Sequence, residues 1–510
     1  MVSVGANVAR ATLTVLTGLL VARGLTPTGF GDLAFLLGSF TAIRSLLDMG
    51  TAGAFYTFIS QRARGPAYYL AYWSWLGLQF LVTLLLVVVI LPQSLIDGLW
   101  LGNSRGLIVL ALAAAFMQQQ VWMTIVQIGE AARNTVKVQL MGLAVIVVHL
   151  AVIVVLLLGQ WLSVVSVLVA VVCEYALASA LSLRVLRGVS SDLGAAARFD
   201  LREMLREYWK YCKPLLALSL FGFLYEFADR WMLQEFGGAD QQGFYQIAAQ
   251  FAAVSLLATA SILNIFWKEI SEANDRKNQE RVAYLYRKVS RALVMLGAVI
   301  SCFLIPWSEQ IVALLLGPAY GDAWPVLAIM FFYPIHQSMG QISGTILLAT
   351  RQTRTYMLIG VFGMIASMPV AYFLLAPSGE GALRGMGLGA QGLAMKMVAM
   401  NTLLVNLQAW IIARNNGWKY DWEYQVAGIV SALALGYFAK IAVCLSMGGL
   451  CTGPDKWAPL APFVVAGILY AIGVLLFLWM FPSVAGLDRR DLAGAASRAA
   501  ALINRGRTRL

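Results

Sequence analysis

Residues 139–158 read QLMGLAVIVVHLAVIVVLLL, a stretch of twenty amino acids that contains no charged side chain. A helix needs about 20 mostly apolar residues to cross a bilayer, so this stretch alone indicates a membrane span. The whole chain is 60% hydrophobic and 12% charged, with a mean hydropathy of +0.75. Similar apolar stretches recur throughout and predict an all-α polytopic membrane protein with about 14 transmembrane helices. The predicted spans are 5–22, 33–58, 67–91, 107–127, 139–158, 162–183, 214–234, 244–266, 290–307, 325–349, 356–376, 389–412, 426–446 and 459–480.

The positive charges alternate between the two sides of these spans. If the N-terminus is inside, 28 of the 37 Lys and Arg residues fall in cytoplasmic segments, 4 fall in outside loops and 5 fall within spans. The positive-inside rule therefore predicts a multi-pass protein with both termini in the cytoplasm. The net charge is +12, and most of the cationic residues lie next to the predicted spans. We therefore expect contacts with anionic membrane lipids and no nucleic acid partner.

The cysteines and histidines indicate neither a disulfide framework nor a metal site. The five cysteines form no CxxC pair, and of these only Cys451 falls in a predicted outside loop. The two histidines, His149 and His336, lie far apart in different predicted spans, where we expect them to be polar packing groups. We therefore predict no disulfide framework, no metal and no cofactor.

Polar segments divide the chain into five parts. These are an N-terminal lobe (1–187), a cytoplasmic amphipathic linker (188–213), a C-terminal lobe (214–413), an appended pair of spans (414–480) and a basic cytoplasmic tail (481–510). In the linker, Leu201, Met204, Leu205, Tyr208 and Trp209 recur at helical spacing opposite charged residues. Two interpretations stay open for this helix: it lies along the membrane surface, or it is a solvated linker helix.

The two lobes carry similar outside turns. GLTPTGFG at 24–31 follows the first predicted span, and GGADQQGFY at 237–245 follows the seventh. Six spans in each lobe with matching turns predict two pseudo-symmetric six-helix lobes that rock about a central cavity. We expect the two turns to approach each other when the cavity faces the cytoplasm and to separate when it faces out.

Several spans carry polar residues along one helix face. Ionisable groups inside a bilayer cost about 2.5–3.5 kcal/mol near its centre, so they need an interior position or a function. At about 1.5 Å of rise per residue, Arg44 lies roughly 16 Å from the outer end of its span, close to mid-membrane. Guanidinium groups in a shared cavity suit a diphosphate, because they form forked hydrogen bonds to it. The candidate substrate-binding residues are Arg10, Arg44, Arg230, Asn7 and Gln120.

The intramembrane carboxylates have two interpretations, coupling groups or structural partners. Asp48 lies four residues after Arg44, and Glu226 lies four residues before Arg230, so each pair could simply neutralise itself on one helix face. The remaining carboxylates of this set are Asp229 and Glu174. Glu174 has no nearby cation along its own helix, which suits either proton coupling or a polar contact between helices. No arrangement of nucleophile and base, or of paired carboxylates, indicates a catalytic site.

Five segments together resemble the polysaccharide transporter family of the multidrug/oligosaccharidyl-lipid/polysaccharide flippase superfamily, which includes bacterial O-antigen flippases. They are ARGLTPTGFG (22–31), LDMG (47–50), Asp229-Arg230 with GFY (243–245), LGPAYGDAWP (316–325) and LGAQGLA (388–394). The resemblance implies two six-helix lobes around a central cavity in the bacterial inner membrane. It also implies transfer of an undecaprenyl-diphosphate-linked oligosaccharide, an O-antigen or exopolysaccharide repeat unit, with a polysaccharide polymerase and chain-length machinery as partners.

Three functions remain open on the sequence. The lipid-linked oligosaccharide flippase is favoured because arginines in the predicted cavity suit an anionic cargo. A cation-coupled multidrug exporter of the same superfamily would instead use cavity carboxylates. A membrane polymerase or ligase would place its catalytic residues in a large outside loop, and none of the predicted outside loops is that large. We therefore expect a transporter and not an enzyme.

Overall fold

The computed structural model describes residues 2–190, 200–350, 352–379, 384–451 and 457–487. Side chains are described over the same ranges except 2–8, 185–190, 255, 257–265, 267 and 449. Part of the predicted linker (191–199) and most of the predicted basic tail (488–510) therefore lie outside the described residues. Within these ranges the chain is helical, with no β-strand.

The first half of the chain forms ten α-helices. They are α1 (Val2–Asp48), α2 (Thr51–Gln61), α3 (Pro66–Leu85), α4 (Gln93–Trp100), α5 (Arg105–Phe116), α6 (Trp122–Ala131), α7 (Thr135–Leu158), α8 (Val164–Ser190), α9 (Leu201–Cys212) and α10 (Leu216–Gly237). Two short π-helical segments, Leu86–Ile90 and Met117–Val121, continue α3 and join α5 to α6.

Nine further helices follow. They are α11 (Ala239–Asp275), α12 (Gln279–Leu304), α13 (Ser308–Leu315), α14 (Trp324–Met330), α15 (Tyr333–Ala349), α16 (Thr353–Leu375), α17 (Gly389–Asn415), α18 (Glu423–Met447) and α19 (Leu460–Met480). By their internal contacts the helices form two units, Met1–Ile247 with Gly360–Leu393, and Ala248–Ile359 with Ala394–Leu510.

The prediction of an all-α polytopic membrane protein is confirmed. Ten helices in the described part are long and apolar enough to cross a membrane. This number counts α1 once, although the predicted spans 5–22 and 33–58 both reach it, and it leaves out α10, α11 and α15, which carry the predicted spans 214–234, 244–266 and 325–349. The count of about 14 spans and the boundaries of the two lobes stay predictions.

The predicted span 33–58 is interrupted near its end. Met49 and Gly50 have positive φ angles of 48° and 87°, which end α1 and let α2 begin at Thr51. The Asp48 carboxylate accepts hydrogen bonds from the Ala52 backbone N–H at 2.8 Å and from the Thr51 hydroxyl at 3.0 Å. Asp48 thus stabilises the start of α2, whose first N–H groups have no partner within the helix.

Helix α9 packs on the adjoining ends of α2 and α3. Its Met204, Tyr208 and Cys212 are buried in a cluster that includes Phe55 and Tyr72. Because burial and the charge of Asp48 disfavour the thiolate, the pKa of Cys212 rises to about 11. The opposite face of α9 stays exposed, and it carries Leu201, Leu205 and Trp209. An exposed apolar stripe on a packed helix agrees better with the membrane-surface interpretation than with a solvated linker.

Salt bridges also hold α9 against the residues that join α2 to α3. Glu207 on α9 contacts Arg62, and its other carboxylate oxygen lies 3.1 Å from Arg64. The Arg64 guanidinium also lies over the Tyr68 ring, 4.6 Å from its centroid. Tyr68 in turn donates a hydrogen bond to the Tyr208 hydroxyl at 3.1 Å. Burial raises the pKa of Tyr208 and keeps its hydroxyl protonated.

The second unit contains a disulfide that the sequence did not lead us to expect. Helix α18 ends at Met447, and a 3₁₀ turn over Gly448–Leu450 returns the chain so that Cys451 bonds to Cys444. The sequence did not indicate this pair, because Cys444 lies within a predicted apolar span. Helices α18 and α19 share a core with Trp307 in this unit.

Candidate cavity of the first unit

A cavity of about 750 Å³ lies among α1, α2, α6, α7, α8 and the π-helical segment Met117–Val121. Its volume is within the usual range for ligand pockets. The polar residues in its wall are Arg10, Arg44, Tyr56, Gln118, Gln119, Gln127, Glu130, Gln139 and Tyr175. The wall runs from Glu130 and Gln139, near helix ends predicted to face the cytoplasm, to Tyr175 near the middle of α8 and to Arg44 on α1, which is predicted to lie near mid-membrane.

The π-helical segment Met117–Val121 presents three consecutive glutamines. Gln118 Nε2 donates to the Tyr175 hydroxyl at 3.2 Å, and Gln119 Nε2 donates to Thr41 Oγ1 at 2.8 Å. Gln120 lines a smaller adjoining cavity that it shares with Arg44. Such π-helical turns often occur at functional sites. Here the widened turn places neighbouring glutamines on the walls of two cavities.

Several glutamine carbonyl oxygens in this region lack a donor. The Oε1 atoms of Gln119, Gln120 and Gln127 are buried and accept no hydrogen bond from any residue that the structure describes. Buried polar groups are nearly always satisfied, so such acceptors indicate a missing partner. Because amide oxygens accept hydrogen bonds, the partner that suits them is a donor such as a hydroxyl group or water.

Arg44 lines the walls of both cavities. Among the described residues it forms no hydrogen bond and no salt bridge, and Asp48 instead bonds to Thr51 and Ala52. The four-residue spacing therefore does not produce a neutralising pair in this structure. An arginine without a protein partner in a cavity wall is suited to bind an anionic ligand.

Arg10 lies in the same wall, against α7. A Cβ atom placed on Gly142 of α7 would be 3.6 Å from Arg10 Nη1, an ordinary contact distance. Asn7 precedes Arg10 by one helical turn on α1, and its side chain lies outside the described part. The structure thus brings Arg10 and Arg44 to one cavity and places Gln120 in the adjoining one.

Arg230 lies elsewhere. Its guanidinium lies directly over Gly38 of α1, and Nη1 donates to the Ala34 carbonyl at 3.4 Å. No salt bridge joins it to Glu226 within the described residues; the Glu226 side chain is exposed, and Asp229 is buried on α10. None of these three residues lines the 750 Å³ cavity. Arg230 therefore serves the packing of α10 on α1 in this structure.

Glu174 has a partner on the next helix. Its Oε2 lies 2.7 Å from Nδ1 of His149, and the Glu174 side chain is only 7% exposed. The pair joins α7 to α8 close to the middle of both helices. The adjacent Tyr175 lines the cavity, so the pair lies just behind the cavity wall.

The two turns that the sequence predicts on the outside are in contact. Thr26 has a positive φ of 63°, which is unusual for a β-branched residue. Together with Pro27 it kinks α1 within the segment 24–31, the first of the two turns. A Cβ atom on Gly31 would overlap the Ala239 carbonyl, and one on Gly243 would overlap the Pro27 carbonyl. Only glycine permits backbones to approach this closely. The two turns therefore lie directly against each other.

Hydrogen bonds hold the same contact. Thr28 Oγ1 donates to Asp240 Oδ1 at 2.5 Å, and Gln234 Nε2 donates to Asp32 Oδ1 at 2.9 Å. Two bonds between α1 and the α10–α11 region thus close this end of the unit. We call the residues at 26–32 and 234–243 the outer rim.

Comparison with known proteins agrees with this architecture. A profile of the family described as polysaccharide biosynthesis protein matches residues 1–266, just over half of the chain. The chain belongs to this polysaccharide biosynthesis protein family. A second profile, MatE, matches residues 214–373. Together the two matches confirm the predicted membership of the multidrug/oligosaccharidyl-lipid/polysaccharide flippase superfamily, whose members are transporters rather than enzymes.

Two solved structures are similar to this member of the family. One is the lipid II flippase MurJ in an inward closed conformation, with 12% identity and a TM-score of 0.66 over 93% of this chain and 98% of that one. The other is an inward-facing multidrug resistance MATE family transporter, with 15% identity and a TM-score of 0.61 over 80% and 94%. At these identities the similarity shows the fold. Comparison with curated proteins gives no match.

The sequence missed part of the cavity wall. Tyr175, Glu130, Gln139 and Tyr56 were not among the candidate residues, yet all four line the cavity. A usable signal was the run Gln118–Gln120 inside an apolar span, which would be costly unless it faced an interior.

Proposed function

We propose that this protein is a flippase that moves an undecaprenyl-diphosphate-linked oligosaccharide from the inner to the outer leaflet of the bacterial inner membrane. The observation that carries this proposal is the cavity in which Arg10 and Arg44 occur beside glutamine acceptors without donors. The cargo would be an O-antigen or exopolysaccharide repeat unit, with its diphosphate at the arginines and sugar hydroxyls at the amide oxygens.

The charges of the cavity suit a diphosphate. Its wall holds two arginines and one carboxylate, Glu130, so the ionised wall carries a net positive charge. A guanidinium binds phosphate oxygens through planar, forked hydrogen bonds that an ammonium group cannot reproduce. Arg44 contributes most to this argument, because it has no hydrogen-bond or salt-bridge partner among the described residues and is predicted to lie near mid-membrane.

The glutamine acceptors suit a glycan. A sugar offers many hydroxyl donors, and Gln119 and Gln127 each hold a buried carbonyl oxygen that lacks one. A purely apolar drug would leave these acceptors unsatisfied, which costs about 1–3 kcal/mol for each buried group. The cavity therefore favours a hydroxylated ligand over an apolar one.

The outer rim suits alternating access. A headgroup of several sugars cannot cross about 30 Å of hydrocarbon unaided, so the cavity must open to each side in turn. In this structure the rim is closed by backbone contact at Gly31 and Gly243, while the cavity reaches toward helix ends predicted to be cytoplasmic. We propose that rim opening releases the cargo on the outer side.

The experiment is replacement of Arg44 in the native host. Arg44→Ala should abolish surface polysaccharide and cause lipid-linked repeat units to accumulate in the inner leaflet, at unchanged membrane abundance. Phe438→Ala, on the exposed face of α18 in the other unit, is the control and should leave both unchanged. Normal surface polysaccharide in Arg44→Ala cells would refute the assignment.

A cation-coupled multidrug exporter is the second candidate, favoured by the MatE match over residues 214–373. Drug susceptibility separates the two functions. An exporter would raise resistance to cationic dyes when overproduced, and Glu130→Gln would remove that resistance. A flippase would leave dye susceptibility unchanged and would need Arg44.

A further inference from the structure

A small pocket in the second unit lies among the first turns of α12, α15, the end of α17 and the loop that leads to α18. Its volume is about 30 Å³, and the rings of Tyr286, Trp418, Tyr420 and Tyr424 form much of its wall. A water molecule needs about 10–15 Å³, so the pocket takes a group the size of two waters or one phosphate and is too small for a nucleoside.

The wall contains a buried hydroxyl group without a partner. Ser290 on α12 lines the pocket and is 3% exposed, and its Oγ forms no hydrogen bond with any residue that the structure describes. Buried polar groups are nearly always satisfied, so this hydroxyl indicates a missing partner. Because a hydroxyl donates one hydrogen bond, an oxygen acceptor in the pocket would satisfy it.

Two cationic side chains in the same wall have no ionic partner. Arg287 and Lys419 are exposed, and neither forms a salt bridge or a hydrogen bond within the part of the chain that the structure describes. The carboxylate of the wall, Asp421, is already paired, since its Oδ2 accepts from Arg291 Nε at 2.9 Å and from Nη2 at 2.5 Å. The pocket therefore carries a net positive charge, which suits an anion.

The tyrosine hydroxyls of the wall are directed to other partners. Tyr286 shares a hydrogen bond with Ser343 at 3.2 Å, and Tyr420 donates to Asn406 Oδ1 at 2.6 Å. These contacts hold the rings in place as an apolar wall. The groups left to bind a ligand are the Ser290 hydroxyl and the two cations.

The surface of α17 beside the pocket suits a lipid. Ala409 and Ala413 line the pocket, and Trp410 between them in sequence is 42% exposed. The Arg414 guanidinium lies over the Trp410 ring, 5.3 Å from its centroid. Tryptophan and arginine together are typical of the membrane–water interface. The end of α17 and the starts of α12 and α18 also lie at the boundary of their spans that is predicted to be cytoplasmic.

We propose that this pocket binds the phosphate of an anionic phospholipid from the inner leaflet. The phosphate oxygens accept from Ser290 Oγ and lie beside Arg287 and Lys419, while the acyl chains stay outside the pocket. Basic pockets between helices on the cytoplasmic side are suited to such headgroups. The site is independent of the proposed cargo, because its residues belong to the second unit and the arginine cavity belongs to the first.

Native mass spectrometry of the delipidated full-length protein in a nonionic detergent tests the site, with dioctanoyl phosphatidylglycerol as the probe. The method counts bound lipids and gives the affinity of the tightest one. Ser290→Ala should weaken that affinity about tenfold, the lower end for a hydrogen bond to a charged group. Arg287→Gln/Lys419→Gln should weaken it at least as much. Inorganic phosphate should compete only weakly, because it lacks the acyl chains.

A matched variant separates the pocket from general surface charge. Arg202→Gln/Arg206→Gln removes two exposed cations from α9 and should leave the tightest lipid unaffected. Equal lipid affinity in wild type and Ser290→Ala would overturn the site, and so would an equal loss in the α9 variant. Tighter binding of inorganic phosphate than of the lipid, with the same dependence on Ser290, would refute the lipid and assign the pocket to a soluble phosphate compound.

Discussion

Replacement of Arg44 by alanine removes a guanidinium from the cavity wall that has no hydrogen-bond or salt-bridge partner among the described residues. Hydrogen bonds to charged groups contribute about 1.5–3 kcal/mol, so loss of the arginine should weaken diphosphate binding roughly 10- to 150-fold. Folding should change little, because no salt bridge or hydrogen bond within the described residues is broken. Arg44→Lys should recover only part of the affinity, because a point charge lacks the planar fork.

A double-mutant cycle with Asp48 decides between a ligand and a structural pair. The Asp48 carboxylate bonds to Thr51 and Ala52 and not to Arg44. Arg44→Ala should therefore lose pyrophosphate affinity whether or not Asp48 is also replaced by alanine. Calorimetry on the four purified proteins supplies the numbers. If the double variant regained the affinity that Arg44→Ala loses, Arg44 would be neutralising Asp48 and the reasoning would be refuted.

Three further predictions concern the rim, the linker helix and the disulfide. Thr28→Cys/Asp240→Cys should cross-link under oxidation and block polysaccharide export until reduced, as followed by maleimide–polyethylene glycol labelling and surface glycan staining. Glu207→Gln should lower stability by less than about 2 kcal/mol, because its arginine partners are partly exposed, and thermal unfolding should show a small fall in Tm. Cys444 and Cys451 should react with an impermeant maleimide in intact cells only after treatment with an impermeant reductant, because disulfides persist outside the cytoplasm.

Each of these three predictions can be contradicted by a specific result. Full export by the cross-linked protein would show that the outer rim does not gate the path. A large loss of stability in Glu207→Gln would mean that the salt bridges of α9 are more important than their exposure indicates. Labelling of Cys444 and Cys451 only after the inner membrane is permeabilised would reverse the predicted topology. For this test the other three cysteines are first replaced by serine.

Hydropathy predicted the helices well because a membrane span must be apolar over most of its length. Every predicted span falls on helical segments, but the helix breaks within spans such as 33–58 were harder to place. The end of α1 at Met49 and Gly50 depends on two positive φ angles and on a carboxylate that bonds to the next helix. The disulfide at Cys444 depends on a chain reversal after α18. Neither feature changes the apolar pattern, so hydropathy gave no sign of them.

The site was only partly visible in the sequence. Spacing along one helix suggested the partners of Asp48 and of Arg230, yet in the structure both bond elsewhere. Contacts between helices decide such cases, and a single sequence does not state which helices are neighbours. His149 and Glu174 show the same limit, because 25 residues separate them along the chain. The depth of Arg44 near mid-membrane follows from helix rise alone and stays a prediction.

The central claim is that the arginine cavity carries a lipid-linked diphosphate across the bilayer. The most direct test is transbilayer movement of a fluorescent short-chain polyprenyl-diphosphate oligosaccharide in proteoliposomes, measured by the fraction accessible to an impermeant quencher. The account predicts that wild type brings the probe to equilibrium across the two leaflets, while Arg44→Ala matches protein-free vesicles. Equal rates in wild type and Arg44→Ala, or movement of a neutral analogue as fast as the diphosphate, would contradict it.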